Sequence, residues 1–309
     1  MNIIFSFIIP TYKNSSSLVT CVTKIIEISN KLQLTYELII VDNFEGNEFI
    51  CSLFEFEKKG KLKIIKNPII GAHHSRRLGL FNSSGDIIIF VDDDNYLTEN
   101  YLLFIKNSFS KNVNSDIVIG CASQPFHDID WKKYKFEPHS FACGSLKETK
   151  FKQDIPVYWG AGMCMSKQLA IKVFKHDLIV DGRMDKNNYI MSGEDHEVSL
   201  RSYFLGANFL YFNDIGLIHD FNLNRLNDEY YSKIQIGFVY AAWILKLYYF
   251  QNKWKFLFKN KVLAYLLNFV FGFLYFLNHP CEKAGQLILW DVLSFTNFSK
   301  RYNIVKKFV

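Results

Sequence analysis

Five short apolar runs, separated by stretches with the spacing of helices, constrain the fold of this chain more than any other feature. They are rich in isoleucine, valine and phenylalanine, the β-branched and aromatic residue types that favour buried strands. The runs are Ile3–Ile9, Glu37–Val41, Leu62–Ile65, Ile87–Val91 and Ile117–Cys121. After the first run, Leu18, Val22 and Ile25 recur at helical spacing. This alternation predicts an α/β fold with a mostly parallel sheet and helices on both of its faces.

The segments that follow the fifth run are less regular. Residues 122–156 are polar and contain several prolines, which predicts a functional loop or lid. The segments Val157–Met165, Asn208–Phe212 and Gly216–His219 have the composition of strands. Ser166 is a predicted helix N-cap, and a further helix is predicted to begin near Glu194.

Polar residues follow three of the apolar runs directly, at the ends where α/β sheets bind their ligands. Pro10 and Thr11 follow the first run, Asp42 follows the second, and Asp92–Asp94 follow the fourth. Adjacent carboxylates repel one another, so three in a row favour a cation bound among them. Mg²⁺ and Mn²⁺ prefer oxygen ligands and leave coordination positions for substrate phosphates. The sequence therefore predicts a metal site here, with a solvated acidic turn as the alternative.

A second acidic cluster, Gly193–Glu197, lies far along the chain and contains Glu194 and Asp195. A hydroxyl group that reacts as a nucleophile needs a carboxylate within hydrogen-bond reach to take its proton, and this cluster offers one. The plain alternative is a set of charges that stabilises a helix N-terminus. A cation-binding cluster and a separate proton acceptor are together what an in-line displacement of a diphosphate leaving group requires.

The C-terminal part of the chain differs from the rest in charge. Residues 229–309 carry 11 Lys and Arg against 3 Asp and Glu, a net charge of +8. Because the whole chain has a net charge of +6, residues 1–228 carry −2. The segment is aromatic and contains the apolar run Val262–Leu277, slightly shorter than the roughly 20 residues of a membrane span. We predict a helical region that binds an anionic membrane surface in plane, with a packed core, an oligomer interface or a true span as alternatives. No nucleic-acid motif supports nucleic acid as the partner.

The cysteines predict the compartment. The chain has six cysteines and no C-x-x-C pair, which predicts reduced thiols in a cytosolic protein. They are Cys21, Cys51, Cys121, Cys143, Cys164 and Cys281. The N-terminus runs directly into a strand pattern without the basic region and cleavage site of a signal peptide. We therefore predict a cytoplasmic protein that is peripheral at the inner membrane face, with its oligomeric state open.

Four motifs, taken in order, resemble family 2 glycosyltransferases. The resemblance covers roughly residues 1–220, and it depends on the order and spacing of all four motifs rather than on any single one. The matching segments are Phe7–Tyr12 with Glu37–Asp42 (the opening), Gly71 with Ser75–Gly79 (the glycine and arginine motif), Ser84–Asp94 (the run into the metal-binding D-x-D) and Gly193–Glu197 (the acidic acceptor-site motif).

This resemblance implies a GT-A fold and a metal-dependent, inverting transfer of sugar from a nucleotide-sugar to a saccharide or lipid-linked acceptor in cell-surface polysaccharide synthesis. Asp195 would be the catalytic base, with Glu194 beside it. Implied nucleotide- and substrate-binding residues are Pro10, Thr11, Asp42, Arg76, Asp92 and Asp93. Implied ligands of Mn²⁺ or Mg²⁺ are Asp92, Asp94 and His219. Trp159 is a further candidate, as a stacking platform for the acceptor or as a core side chain.

The chain departs from the family pattern in two places. Asn43-Phe44 follows Asp42, where the family often has a second aspartate and a Gly-Ser pair. Ser75-Arg76-Arg77 stands where Ala-Arg-Asn is usual. These departures leave the identity of the nucleobase open. Plain structural roles also stay open: a turn cap for Asp42, a surface ion pair for Arg76 and a structural imidazole for His219.

Two other classes of protein compete with this hypothesis. A nucleotidyltransferase would need a glycine-rich, basic phosphate loop near the N-terminus, and Pro10–Asn14 lacks the glycines. A dehydrogenase is disfavoured because no G-x-G-x-x-G follows the first run. A catalytically inactive sugar-nucleotide-binding protein is the non-enzymatic alternative, and the presence of both acidic clusters argues against it.

Overall fold

The computed structural model confirms the predicted α/β fold, with a mostly parallel sheet, helices on both faces and further helices at the C-terminus. It describes residues 3–12, 16–44, 53, 62–111, 115–146, 150–151, 155–180, 189–253, 256–279 and 282–309. Cys51 and Cys281 lie outside these residues, whereas the other four cysteines are buried and form no disulfide.

Eight strands form the main sheet within the described residues. They are β1 (Ile4–Thr11), β2 (Thr35–Asp42), β3 (Leu62–Lys66), β4 (Ile87–Phe90), β5 (Asn95–Leu97), β6 (Ile117–Pro125), β9 (Cys164–Ser166) and β10 (Asn208–His219). Their order is β3-β2-β1-β4-β9-β6-β10-β5. The first four neighbours are parallel, as are β6 and β10, whereas β9 and β5 are antiparallel to their neighbours. A separate pair consists of β7 (Lys150–Phe151) and β8 (Ile155–Pro156).

Helices connect these strands and then form the C-terminal region. They are α1 (Ser16–Lys31), α2 (Ala72–Phe81), α3 (Glu99–Lys111), α4 (Trp131–Tyr134), α5 (Lys167–Phe174), α6 (Glu194–Phe204), α7 (Asp228–Lys253), α8 (Lys261–Asn278), α9 (Lys283–Val292) and α10 (Phe295–Val305). Short 3₁₀ turns cover Pro138–Phe141, Leu223–Arg225 and Leu257–Lys259. The Ser166 hydroxyl accepts a hydrogen bond from the Leu169 N–H, which confirms the predicted cap of α5.

The apolar runs are continuous because both faces of the sheet are covered. Side chains alternate between the faces of a strand, so neighbouring residues enter different cores. Phe7 and Ile9 of β1 pack with α1 and α3, whereas Ile8 packs with Leu80 of α2 and Leu169 of α5. A strand of this kind needs apolar side chains at every position, which explains why the runs were visible in the sequence.

The predicted strand Val157–Met165 is wrong in its extent. Only Cys164 and Met165 of this segment join a strand, β9, which ends at Ser166. The glycines explain the shortening, because Gly162 has φ +78°, a left-handed conformation that interrupts an extended chain. The two short strands predicted at 208–212 and 216–219 form one strand, β10, with irregular register between Phe212 and Leu217.

The segment 122–156, predicted as a loop or lid, is partly regular. It begins with the end of β6 and contains α4, a 3₁₀ turn and two very short strands. Aromatic side chains hold its middle part against the chain that follows β10. This aromatic cluster comprises Trp131, Phe136, Phe141, Phe221, Tyr230 and Tyr231. Residues 131–141 are therefore packed against residues 221–231.

The C-terminal helices share a core with the α/β part of the fold. Leu245 and Tyr248 of α7 pack in one cluster with Met191 and with Leu200 of α6. Helix α8 packs through Gly272 against Val292 and Trp243, and a Cβ at this glycine would meet the Val292 side chain. By length and composition α8 would be able to cross a membrane, and 17% of its apolar window is buried within the structure.

Candidate active site

A cavity of about 1010 Å³ opens at the carboxyl edge of the sheet, beyond the ends of β1 and β4. All of the predicted site residues line it except Asp42. They are Pro10, Thr11, Arg76, Asp92, Asp93, Asp94, Trp159, Glu194, Asp195 and His219. The two acidic clusters, which are distant in sequence, thus face the same space.

The first acidic cluster forms a turn between β4 and β5. The Asn95 N–H donates to the Asp92 carbonyl at 3.0 Å, which closes the turn. The Thr11 hydroxyl donates to Asp93 Oδ2 at 2.6 Å and thereby ties the turn to the end of β1. Burial and the adjacent Asp94 carboxylate raise the pKa of Asp93 to about 7. A bound cation would oppose that rise, because a metal is the largest local charge in such a site.

The pairing of β5 with β10 brings His219 to Asp94. In this antiparallel register Asn95 lies opposite His219, and the Asp220 N–H donates to the Asp94 carbonyl at 2.8 Å. His219 Nε2 lies 3.5 Å from Asp94 Oδ2, while Nδ1 lies 2.9 Å from the Phe141 carbonyl. Because a carbonyl only accepts, Nδ1 carries a proton, and Nε2 is the ring nitrogen that faces the carboxylate.

This arrangement fits a divalent cation. An imidazole nitrogen and a carboxylate oxygen that face each other have either a proton or a metal between them, and a carbonyl that holds Nδ1–H is the usual outer partner of a metal-binding histidine. Within the described residues, no three His, Cys, Asp or Glu side chains converge as a complete ion cage. Mg²⁺ and Mn²⁺ do not need one, because diphosphate oxygens and water complete their coordination. Asp94 and His219 are therefore suitable protein ligands.

Arg76 of α2 joins the two acidic clusters. It is 5% exposed, with Nη2 2.7 Å from Asp92 Oδ1 and Nη1 3.8 Å from Glu194 Oε1. Burial alone would lower the pKa of Arg76, but the two carboxylates raise it above its usual value. A Cβ at Gly160 would lie 2.6 Å from Nη1, so the absence of a side chain there leaves room for the guanidinium. Arg76 is thus a buried cation at the cavity and not a surface ion-pair partner.

Asp195 lies in the first turn of α6, after Gly193, which has φ +109°. Its Oδ1 accepts from the His196 N–H at 2.9 Å, and its Oδ2 accepts from the Gly160 N–H at 3.3 Å. The carboxylate is half-buried and lines the cavity. Two backbone donors therefore hold this carboxylate in place on the other side of Arg76 from the acidic turn.

Comparison with known proteins identifies the family. The model of Glycosyl transferase family 2 matches residues 6–174, more than half of the chain. The chain belongs to glycosyl transferase family 2. The match includes the acidic turn and Arg76 and ends before α6.

Solved structures of TarS from S. aureus share the fold of this family 2 member. TarS 1-349, alone and in complex with UDP-GlcNAc, aligns with a TM-score of 0.55 at 14% identity, over 99% of this chain and 83% of that chain. Its complex with UDP aligns with a TM-score of 0.50 at 15% identity, over 80% and 65%. The chain spans 39% of the longer TarS structure. No curated protein matches the sequence.

Asp42 occupies a different place from the other predicted residues of this family 2 chain. It is 1% exposed, is paired with Lys66, and accepts from the Phe44 N–H at 3.0 Å. The next residue, Asn43, lines the cavity instead. A direct role for Asp42 in binding the nucleobase stays a prediction.

Glu197, in the second acidic cluster, faces away from the cavity. Its carboxylate is fully buried and accepts hydrogen bonds from the N–H groups of Ile179 and Val180, from Arg201 and from the Tyr248 hydroxyl. One helix of this family 2 fold therefore carries Asp195 on the cavity side and a structural carboxylate on the opposite side.

Several residues of the cavity wall of this family 2 member were not predicted. Arg225 lies in the 3₁₀ turn after β10, and its charge acts to lower the pKa of Asp93 against the larger effect of burial. Gln235, Phe238 and Ala241 reach the cavity from α7. Apolar spacing in α7 would have predicted a helix but not the surface it covers. Nothing in the local sequence around Arg225 indicates the site.

Proposed function

We propose that this protein transfers a glycosyl group from a nucleoside-diphosphate sugar to a hydroxyl of an acceptor, with inversion. One observation carries the proposal: Asp94 and Asp195 line the same cavity, with the buried Arg76 between their clusters. Family 2 membership supports glycosyl transfer. The TarS complexes with UDP and UDP-GlcNAc, which share the fold, support a nucleotide-sugar donor and make UDP-sugars the first donors to test.

The proposed reaction is a single displacement at the anomeric carbon. The bond from that carbon to the diphosphate oxygen breaks, and the acceptor oxygen forms a new bond on the opposite face. The acceptor proton moves to the Asp195 carboxylate, which the Gly160 and His196 N–H groups hold in position. Arg76 places positive charge beside the leaving group, where negative charge grows as the bond breaks.

Metal dependence is part of this proposal. Asp94 and His219, with Asp92 beside them, would hold Mn²⁺ or Mg²⁺. A cation bound there supplies Lewis-acid stabilisation of the departing diphosphate. We expect EDTA to abolish turnover and added Mn²⁺ to restore it, and a chelated protein that keeps full activity would contradict this part. His219→Ala should raise the Mn²⁺ concentration needed for half-maximal activity.

Turnover by an Asp195→Asn variant tests the base assignment. A positioned general base contributes about 10²–10⁴-fold, so release of nucleoside diphosphate should fall by that factor. Binding of UDP should be unchanged, because the base contacts the acceptor and not the nucleotide. Equal turnover in wild type and variant would reject Asp195 as the base. If the wild type bound nucleotide-sugar without turnover under any acceptor condition, an inactive binding protein would be the better description.

The acceptor is proposed to be a saccharide or a lipid-linked saccharide of a cell-surface polysaccharide, met at the cytoplasmic face of the membrane. The outer side of α8 supports the membrane location, because its apolar side chains are exposed. They include Val262, Leu266, Val270 and Leu277. Trp290 of α9 is 73% exposed. A group of exposed apolar side chains on one helix face indicates an interaction surface. Basic residues near apolar helices favour binding to anionic lipid. The buried free thiols support a reducing compartment.

Flotation with vesicles tests the membrane proposal. The protein should float with vesicles that contain phosphatidylserine and less with neutral ones, and high salt should release it. Leu266→Asp together with Val270→Asp should abolish flotation. Ile171→Asp, which alters an exposed apolar residue on α5, is the matched control and should have no effect. A protein that stays soluble at low salt and self-associates instead would identify the face as an oligomer interface.

A further inference from the structure

Asn43 and Ser75, one from each of the two places where the chain departs from the family pattern, are in direct contact. The Ser75 hydroxyl donates a hydrogen bond to Asn43 Oδ1 at 2.5 Å. The amide nitrogen of Asn43 donates to the Asn67 carbonyl at 2.9 Å and to the Ile69 carbonyl at 2.7 Å. Both N–H groups of the Asn43 side chain are therefore used within the protein, and neither is left to donate to a ligand.

The contact belongs to a larger buried network. Asn67 Nδ2 donates to the Ser75 hydroxyl at 3.2 Å, and Asn67 Oδ1 accepts from the Ile69 N–H at 3.1 Å. Ser75 is fully buried and Asn67 nearly so. In such a network the loss of one partner leaves another polar group buried without a hydrogen bond. The loop 67–71 is thus fastened both to the end of β2 and to the first turns of α2.

The loop forms part of the cavity wall at one end of the site. Asn43, Ile70 and Gly71 line the cavity together with Thr11. Along the sheet edge the order is β2, β1, β4 and then β9, so residues 43, 11 and 92–94 follow one another, and Gly160 with its bond to Asp195 comes last. Asn43 and Asp195 therefore lie on opposite sides of the acidic turn.

This order assigns an orientation to the donor. The diphosphate joins the sugar to the nucleoside, and the acidic turn is the proposed diphosphate site. If the sugar points toward Asp195, the nucleoside must extend toward the ends of β1 and β2. The wall it meets there is the loop held by Asn43 and Ser75.

We propose that Asn43 and Ser75 form a positioning pair that fixes residues 67–71 as the wall of the nucleoside site. The inference rests on the proposed nucleotide-sugar donor. Asn43 acts through the loop and does not read the base with its amide donors. An aspartate at position 43 would place a carboxylate oxygen where Nδ2 now donates to two carbonyls within 3 Å, so it would repel the loop from its present position.

Titration calorimetry with nucleoside diphosphates tests the pair. The probe is the tightest wild-type binder among UDP, GDP, CDP, ADP and dTDP. We expect Asn43→Asp and Ser75→Ala each to weaken its binding by about tenfold, the loss that one broken buried hydrogen bond of this kind causes. Asn100→Asp makes the same chemical change at an exposed position in the first turn of α3 and should leave the Kd unchanged.

A double variant tests whether the two side chains act together. The loss of binding in Asn43→Ala with Ser75→Ala should be smaller than the sum of the losses in the two single variants, because each single change already breaks the shared contact. Additive losses would overturn the pairing. Ser75→Ala adds no charge, so weaker binding by this variant cannot come from repulsion of the diphosphate.

Steady-state kinetics separate positioning from a folding defect. The KM for the donor should rise, while kcat at saturating donor should stay within about twofold of the wild type. A fall in binding stoichiometry and kcat with unchanged Kd and KM would instead show partial unfolding and would overturn the inference. Absence of any nucleoside diphosphate binding by the wild type would reject the proposed function itself. Wild-type binding that Asn43→Asp leaves intact would reject this inference alone.

Discussion

Two buried arginines, Arg76 and Arg201, show how the same residue type serves a site and a core. Arg201 of α6 is completely buried and uses all of its donor nitrogens: Nε on Glu197 and Tyr248, Nη1 and Nη2 on backbone carbonyls of residues 173–177. Its guanidinium also lies 4.4 Å from the centre of the Phe308 ring. Arg201 therefore fastens α6 to the segment after α5, to α7 and to the last residues of the chain.

Arg76 is bonded in a different manner. One nitrogen has a close carboxylate, a second has a carboxylate at 3.8 Å, and Nε has no hydrogen-bond partner among the described residues. A buried arginine with incomplete hydrogen bonding is costly for the fold alone, and such groups call for an explanation. Arg76 lines the cavity, and the diphosphate of the proposed donor would offer the missing acceptors. The comparison teaches that satisfied hydrogen bonding marks the structural arginine and incomplete bonding marks the one at the site.

Arg201→Ala should have the largest effect, and on stability. It leaves the Glu197 carboxylate buried without its charged partner, which costs about 3–5 kcal/mol. Urea denaturation should show this as a lower midpoint at unchanged slope. A midpoint equal to that of the wild type would contradict the structural role of Arg201. UDP binding by the fraction that remains folded should be unchanged.

Arg76→Ala should act mainly on catalysis. Loss of one preorganised donor to developing charge lowers kcat by about 10²–10³-fold. The free energy of unfolding should change less than in Arg201→Ala, because Asp92 and Glu194 face a cavity that water can enter. Release of nucleoside diphosphate and urea denaturation are the two measurements. A variant that is as unstable as Arg201→Ala but fully active when folded would reverse the comparison.

Two glutamates on α6 extend the comparison, since Glu194 faces Arg76 and Glu197 faces Arg201. Glu197→Gln keeps the shape but loses charge-assisted hydrogen bonds, so it should lower the free energy of unfolding by about 2 kcal/mol. Glu194→Gln should lower kcat and change stability by less than about 0.5 kcal/mol, as for sites without a buried network. Thermal unfolding of both variants in one buffer makes the test. Equal losses of stability would remove the distinction between the two carboxylates.

Gly160→Ala should have the smallest effect and should act through Arg76. The new Cβ would lie 2.6 Å from Nη1, so the guanidinium must move away from Asp92 or Glu194. Because the end of an arginine side chain can shift, we expect a loss of only about tenfold in kcat/KM, equivalent to about 1.4 kcal/mol. In the Arg76→Ala background the same change should have no further effect. A loss of the same size in that background would show that Gly160 acts on Asp195 instead.

The sequence predicted those parts of the fold and site that local patterns encode. Strands β1 and β4 were visible because both of their faces are buried, which demands unbroken apolar runs such as Ile87–Val91. The acidic turn was visible because three carboxylates follow such a run directly. The extent of β9 was wrong because the conformation of Gly162 depends on packing that composition does not reveal.

Contacts between distant segments were the part that sequence did not predict. The Asn43–Ser75 contact and the Glu197–Arg201–Tyr248 network each depend on tertiary placement, and the residues involved have ordinary local surroundings. Arg225 and the α7 wall belong to the same class. Resemblance to a family indicated Asp195 and His219 without showing why either one is held in place.

The pairing of β5 with β10 has a consequence for the order in which the site is completed. Asp94 lies in the first half of the chain, whereas its neighbour His219 belongs to β10, the last described strand of the sheet. His219 also lies beyond the residues that the family model matches. During synthesis the N-terminal half emerges first, so a ribosome-bound chain carries the acidic turn before its imidazole partner exists. The site proposed for the cation can therefore be complete only after β10 has emerged.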